Sequence, residues 1–339
     1  MTDALLEVSG LSKTFQVPKG PNGNDKLRAL DRIDLTLGRG ETLALVGESG
    51  CGKSTLARTL MLLERPDEGT VRFGGVDPFA LRGKELLTWR RRVQMVFQDP
   101  YASLNPRMTA AQIISEPWST HKDLFRSARD RAARTRELLH LVGLRPSDAA
   151  RYPQEFSGGQ RQRIGIARAL ALNPDVVICD EPVSALDLSV QAQVLNLLDE
   201  LQRKLGVSYI FISHDLSVVK HVADRVAVMY LGRIVESGTT AEVFENPRHP
   251  YTTALMSAAP SLRQADRTRE RILLQGELPS PLNPPSGCRF RTRCWKATDL
   301  CAEQAPPAVA APGNPAHVAE CHYPLEPVSV GSVLADPGL

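Results

Sequence analysis

Residues 47–54 read Gly-Glu-Ser-Gly-Cys-Gly-Lys-Ser and fit G-x-x-x-x-G-K-[ST], the feature of this chain that most restricts its fold. Glycines there let successive backbone N–H groups curl around phosphate oxygens. Lys53 can reach the β- and γ-phosphates, and the Ser54 hydroxyl can bind Mg²⁺. Such a loop works only between a buried strand and the helix that it opens. Thr42–Val46 is a continuous apolar run of the strand type, and Leu56–Leu63 reads as a helix. With Gly at ~7% of residues, a chance match in a chain of this length is on the order of one in a hundred. Cys51, inside the loop, reads as a small filler rather than a reactive thiol.

Strand-type runs recur at Leu5–Val8, Val93–Phe97, Val176–Cys179 and Ser208–Ile212, and Gly38–Gly40 marks a turn. Val190, Val194, Leu197, Leu198 and Leu201 recur at helical spacing between the last two runs, which predicts a strand–helix–strand unit. Such alternation implies an α/β fold with a parallel sheet and ligands at the carboxyl ends of its strands. Residues 100–172 are helix-rich with no convincing strand, and Arg161–Leu172 reads as one of the helices. Arg126, Arg129, Arg131, Arg134 and Arg136 are read as a solvated helix face, because nothing else in the chain supplies a basic companion. Gln275–Gly287 is rich in Pro and Ser, and Ala305–Ala316 in Ala and Pro. Both are expected to be extended linkers or irregular loops.

Composition closes off other classes. The 339 residues suggest about two domains. Hydrophobic residues at 42% and charged residues at 23% exclude wholesale disorder. No apolar run reaches the roughly 18 residues of a membrane span. The stretch from Met1 lacks the basic and apolar regions of a secretory signal. A formal charge of +3 is too small an excess to argue for nucleic acid. The six cysteines, read as cytosolic, are not expected to form disulfides.

Two carboxylates follow the run Val176–Cys179. At a strand tip Asp180 can hold Mg²⁺, usually through water, and Glu181 is placed to polarise an attacking water. Ser157, Gly158, Gly159 and Gln160 precede a helical run, so their N–H donors and the positive dipole end form an anion site. Val183–Asp187 follows the acidic pair, His214 follows Ser208–Ile212, and Gln98 ends Val93–Phe97. Singly, these also fit a helix cap, a core histidine and a turn glutamine.

In this order and spacing, the motifs across about residues 5–255 resemble the nucleotide-binding subunit of ABC transporters. The resemblance implies a phosphate-loop ATPase core, with a RecA-like parallel sheet and an N-terminal antiparallel β part. It also implies a cassette over 1–255 with an inserted α-helical subdomain at about 100–172. ATP would be held by Gly47, Glu48, Ser49, Gly50, Cys51, Gly52, Lys53, Ser54 and Thr55. Phe15 would stack on adenine, contributing ~1–3 kcal/mol by analogy with base–aromatic contacts. Ser54, Gln98 and Asp180 become the implied Mg²⁺ ligands, and Glu181, His214 and Gln98 the catalytic set. Ser157–Gln160 becomes the signature motif that contacts the γ-phosphate of ATP held by a partner subunit. Asp187 belongs to the D-loop, and His214 contacts the γ-phosphate.

GESGCGKSTLAR at 47–58, VQMVFQDPYASLNPR at 93–107, DEPVSALDL at 180–188 and NPRHPYTTAL at 246–255 narrow the resemblance. They look like the F-type ATPase of bacterial dipeptide/oligopeptide importers. That branch implies a peripheral ATPase on the cytoplasmic face of the cell membrane that energises import of small peptides. Its implied partners are a second, non-identical cassette subunit, two membrane permeases and an extracytoplasmic peptide-binding protein, with no nucleic acid. One rival is a soluble cassette ATPase of DNA repair or translation, disfavoured because neither a coiled-coil insertion nor a second cassette is visible. A second is an exporter cassette, disfavoured because no fused membrane domain is visible and by the C-terminal tail.

Residues 256–339 are then a C-terminal extension, and four of the six cysteines lie in it: Cys288, Cys294, Cys301 and Cys321. So short a segment with few apolar residues needs an external staple such as a metal. Four thiolates suit zinc or an iron–sulfur cluster, but gaps of five, six and nineteen residues match neither common spacing. The resemblance implies a [4Fe–4S] cluster, with zinc as the alternative, in which His317 and His322 could take part. Arg289, Arg291 and Arg293 are expected to offset thiolate charge.

Overall fold

The structure, a computed structural model, describes residues 4–18, 24–99, 101–258 and 272–326. Among them, β1 (Ala4–Pro18) and β2 (Asn24–Gly38) are joined by β4 (Glu68–Phe73) in an antiparallel sheet of order β2-β1-β4. A second sheet holds β3 (Thr42–Val46), β5 (Val93–Val96), β6 (Val176–Asp180), β7 (Ser208–Ile212), β8 (Arg225–Tyr230), β9 (Arg233–Thr239), β10 (Ala308–Ala311) and β11 (Asn314–Glu320). Its order is β10-β11-β9-β8-β3-β7-β6-β5. The run from β8 to β5 is parallel, and the other pairings are antiparallel.

The parallel strands are mostly apolar because both of their faces are covered, and the polar residues Thr42, Ser208, Arg225 and Asp180 fall at strand ends. Alternate side chains point to opposite faces. Tyr209 and Phe211 of β7, with Val177 and Cys179 of β6, pack against the helical part of the chain. Ile210, Ile212, Val176 and Ile178 pack instead against the antiparallel sheet. Between residues 101 and 172 the described chain has no strand. It forms the helices Ala110–Ser115, Pro117–Thr120, Ala128–Leu141 and Gly158–Leu170 around Trp118, whose indole donates to the Ala171 carbonyl at 2.9 Å. The helix Ala128–Leu141 buries Thr135, Leu138 and Leu139 and leaves Arg129 and Arg136 in solvent. Arg131 and Arg134 are half-buried, and Arg134 pairs with Glu137 and Asn173, which corrects the reading of a wholly solvated face.

Gln275–Gly287 lacks regular structure, as expected, but Ala305–Ala316 corrects the sequence reading. Residues 308–320 form the β10–β11 hairpin, which extends the main sheet through pairing of Val318 with Ser237 and Ala319 with Glu236. Ala and Pro favour strands weakly, so the pattern carries little β signal. Pro315 stands near the start of β11, beside a register shift and before the residues that pair with β9, where a missing N–H is tolerated.

The C-terminal segment enters the core. Phe290 is 1% exposed, with ring centroids 5.3 Å from Tyr230, 5.4 Å from Tyr251 and 5.7 Å from His249. Nearby, the buried Glu236 carboxylate accepts the backbone N–H groups of Arg248 and His249, each at 2.8 Å, and lies 2.7 Å from His317 Nε2. Asn246–Leu255, which the sequence alone shows only as a turn and helix start, therefore sits at a junction of β9, β11 and the aromatic cluster of Tyr230, Tyr251 and Phe290.

Candidate active site

The loop after β3 turns so tightly that two of its glycines have no substitute. A Cβ on Gly52, at φ +110°, would lie 2.5 Å from the Ala29 carbonyl oxygen, and one on Gly47 would run into that of Met229. Gly52 caps the helix Lys53–Leu60 without a side chain, so its first N–H groups remain for an anion. Lys53 is buried within the loop, and Nζ donates to the carbonyls of Gly47 at 2.7 Å and Glu48 at 3.1 Å. Burial pushes the Cys51 thiol up despite the neighbouring Lys53, in keeping with a filler.

The carboxyl ends of three parallel strands bring Gln98, Glu181 and His214 together. Glu181 Oε2 accepts from Gln98 Nε2 at 2.7 Å, and Oε1 lies 3.0 Å from His214 Nδ1. The Glu181 backbone has φ +45°, the left-handed region, which costs a non-glycine residue about 1–3 kcal/mol. Its N–H donates to the Ile212 carbonyl at 2.9 Å, which anchors the strained turn to β7. Asp180 is held above the usual carboxylate range, first by burial and then by the adjacent Glu181, while Lys53 and Arg58 offset part of this.

A cleft of about 830 Å³ takes in Phe15, Lys53, Ser54 and Thr55 together with Gln98, Asp180, Glu181 and His214. Ser49, Gly50 and Gly52 also line it. The hydroxyl, amide and carboxylate of Ser54, Gln98 and Asp180 are hard oxygen donors of the kind Mg²⁺ takes. Arg28 and Pro281 line the cleft as well, and no motif signalled either.

Ser157, Gly158, Gly159 and Gln160 lie outside this cleft. Gln160 Oε1 accepts the Ser157 N–H at 3.0 Å and Ser157 Oγ accepts that of Gln160 at 3.4 Å, a reciprocal cap on the helix Gly158–Leu170. A Cβ on Gly158 would meet Leu186 at 3.3 Å, so the motif sits beside the segment bearing Asp187. Asp187 caps the helix Leu188–Leu205 by accepting from the Val190 N–H at 2.9 Å. Glu48 also points elsewhere, toward Arg293 at 2.8 Å.

Cys288, Cys294, Cys301 and Cys321 line one small cavity, and all six thiols are free. Burial raises Cys288, Cys294 and Cys321. Among the described residues, no three or more His, Cys, Asp or Glu side chains gather as a single metal ion requires. The four thiols about this shared cavity are soft donors. His322 lines the same cavity, whereas His317 pairs with Glu236. Of the three arginines, Arg289 binds Asp31 at 2.5 Å and the Leu231 carbonyl, and Arg293 binds Glu48, so these two pair with cassette groups, whereas Arg291 binds Ser286 and lines the cysteine cavity.

Fold and cleft together define an ATP-binding cassette ATPase. The family model described as ABC transporter matches residues 30–184, and that described as oligopeptide/dipeptide transporter, C-terminal region, matches residues 235–301. The chain belongs to the family of ATP-binding subunits of oligopeptide and dipeptide ABC transporters. It is 52% identical to the oligopeptide transport ATP-binding protein AppF of Bacillus subtilis, over 94% of this chain and 97% of the relative. It is 54% identical to the dipeptide transport ATP-binding protein DppF of Escherichia coli, over 89% of this chain and 90% of that one. Among solved structures it resembles a dimeric, post-hydrolysis ATP-binding cassette, MJ0796, bound to ADP and Pi. The TM-score is 0.61 at 29% identity, over 69% of this chain and 98% of the other. No described helix is long and apolar enough to cross a membrane.

Proposed function

We infer that this chain is the ATP-hydrolysing subunit that energises uptake of dipeptides and oligopeptides through a membrane transporter. The transport activities named for AppF and DppF support the cargo class. The chemistry rests above all on one observation, the Gln98–Glu181–His214 hydrogen-bonded set sharing a cleft with Lys53 and Ser54.

Loop N–H groups and Lys53 hold the phosphates, and Phe15 stacks on adenine. Ser54, Gln98 and Asp180 would hold Mg²⁺, which neutralises charge on the β- and γ-phosphates. Glu181, oriented through both carboxylate oxygens, accepts a hydrogen bond from the attacking water, and His214 reaches the γ-phosphate. Phosphoryl transfer needs little covalent help, so positioning and electrostatics carry it. Ser157–Gln160 and Asp187 lie away from the chain's own cleft, which supports their service to the nucleotide of a second cassette; the family resemblance makes that cassette a non-identical one. A groove of about 830 Å³ lined by Phe97, Gln98, Glu116 and Arg168 suits docking of a permease segment beside the Mg²⁺ ligand Gln98.

In this reading a cassette spans 1–255, with its helical subdomain at about 100–172, and the extension spans 256–339. The complex sits on the cytoplasmic face of the membrane with two permeases and an external peptide-binding protein. Cys288, Cys294, Cys301 and Cys321 would hold a [4Fe–4S] cluster that fixes the extension. The test is ATP binding and turnover in the assembled transporter. Glu181→Gln should cut hydrolysis by about 10²–10⁴-fold and still bind ATP, whereas Lys53→Ala should lose binding. Equal loss of ATP binding in both variants would reject this division of roles.

A further inference from the structure

We propose that Arg293, on the C-terminal segment, is a positioning residue for the phosphate loop, acting by neutralising and tethering Glu48. The proposal rests on the reading that residues 47–54 hold the phosphates of ATP, and it adds a control on that site from 245 positions away.

Each polar group of Glu48 is engaged. Arg293 Nη1 donates to both carboxylate oxygens, at 3.0 and 2.8 Å. The Glu48 N–H donates to the Tyr251 hydroxyl at 3.0 Å, and its carbonyl accepts from Lys53 at 3.1 Å. Two of these three partners thus lie beyond the nucleotide motifs. The ion pair is largely shielded, with side chains 10% and 28% exposed. Arg293 is held on a firm base. Its N–H donates to the Phe290 carbonyl at 3.0 Å, and Phe290 is wedged among Tyr230, Tyr251 and His249.

Glu48 is an acidic residue inside a loop that must receive a polyanion. Unpaired, its carboxylate repels the phosphates and leaves the loop free to turn away. Paired, the charge is cancelled at little cost in screening, because the pair is mostly out of solvent. A residue without contact to nucleotide therefore sets how well the loop accepts one.

The test is the Kd of a fluorescent ATP analogue with Mg²⁺ on the full chain, in a double-mutant cycle. Arg293→Gln should weaken binding about tenfold, the scale of one stranded, half-shielded charge. Glu48→Gln removes the carboxylate that needs the tether, so it should lose less affinity than Arg293→Gln does. The double variant should recover most of the loss, since no carboxylate is then left unpaired. Arg291→Gln, whose hydrogen bonds stay on Ser286, should bind as the unaltered chain does. If Arg293→Gln does not fold, Arg293→Lys serves: it should weaken binding about two- to fivefold and speed hydrogen exchange at the Glu48 amide. Unaltered affinity in Arg293→Gln, losses that merely add in the cycle, or unaltered affinity and exchange in Arg293→Lys would overturn the proposal. Full affinity in Lys53→Ala would instead reject the phosphate-loop reading beneath it, so the two failures are told apart.

Discussion

Replacing Phe290 with alanine tests whether the C-terminal segment is part of the cassette's core. The ring is 1% exposed and meets Tyr230 edge-on, with Tyr251 and His249 tilted against it. Truncating a buried Phe costs about 3–5 kcal/mol, as lost transfer energy plus the cavity left behind. Entropy of unfolding near 60 °C is about 2.1 cal/mol/K per residue, or roughly 0.7 kcal/mol/K for this chain of 339 residues. Dividing the two gives a fall in Tm of about 4–7 °C.

The assay is thermal unfolding of the full chain by calorimetry, read beside limited proteolysis at 25 °C. A single transition displaced by that amount means that segment and cassette melt together. An unmoved main transition, with cleavage confined to the tail, would show that Phe290 belongs to an independently ordered appendage and would refute the reasoning.

Burial holds His249 down to about 4, against 6.5 in the unfolded chain, with Glu236 pulling the other way. The unfolded state then binds more protons between those values. Stability should fall as pH drops from about 6.5 to 4, by up to about 3 kcal/mol, and His249→Asn should flatten that window in acid-titrated denaturant melts. Cys→Ser at 288, 294, 301 or 321 should each remove a brown chromophore absorbing near ~400 nm from anaerobically purified protein; colourless protein would reject the cluster. Native mass spectrometry of the transporter should find one copy of this chain beside a different cassette, and two copies would reject the heterodimer.

The strand ends were legible because strand chemistry and site chemistry coincide there. Thr42–Val46 and Ser208–Ile212 are apolar on both faces, and the residues that follow them must emerge where the sheet's carboxyl edge meets ligand. The helix expected at Leu56–Leu63 instead runs Lys53–Leu60, because the loop feeds the helix without a separate cap. What the sequence concealed are polar groups paired at long range. Glu236 and His317 stand 81 positions apart, and Glu48 and Arg293 stand 245 apart. A charged residue in a strand reads as solvent-facing until its distant partner is known. The β10–β11 hairpin was hidden differently, by residues with weak strand preference that form strands because a sheet edge is open to them.

Among the described residues, three carboxylates of the cassette, Asp31, Glu48 and Glu236, pair with an ionisable side chain from beyond residue 285, namely Arg289, Arg293 and His317. Burial alone would raise Asp31, yet Arg233, Arg289 and Arg28 together hold it below the usual carboxylate range. Burial meanwhile brings Arg289 down to about 10. Ion pairs of this kind add little net stability, because desolvation consumes most of the attraction, but they penalise misplacement heavily. Apolar packing has the opposite character, being strong and non-directional. Labour is divided accordingly: Phe290 and its aromatic neighbours hold the segment down, and the ion pairs fix where it sits against the cassette. Phe290→Ala should therefore move Tm more than ATP affinity, and Arg293→Gln should move affinity more than Tm. A segment attached for stability alone would show both variants changing Tm and neither changing the Kd for nucleotide.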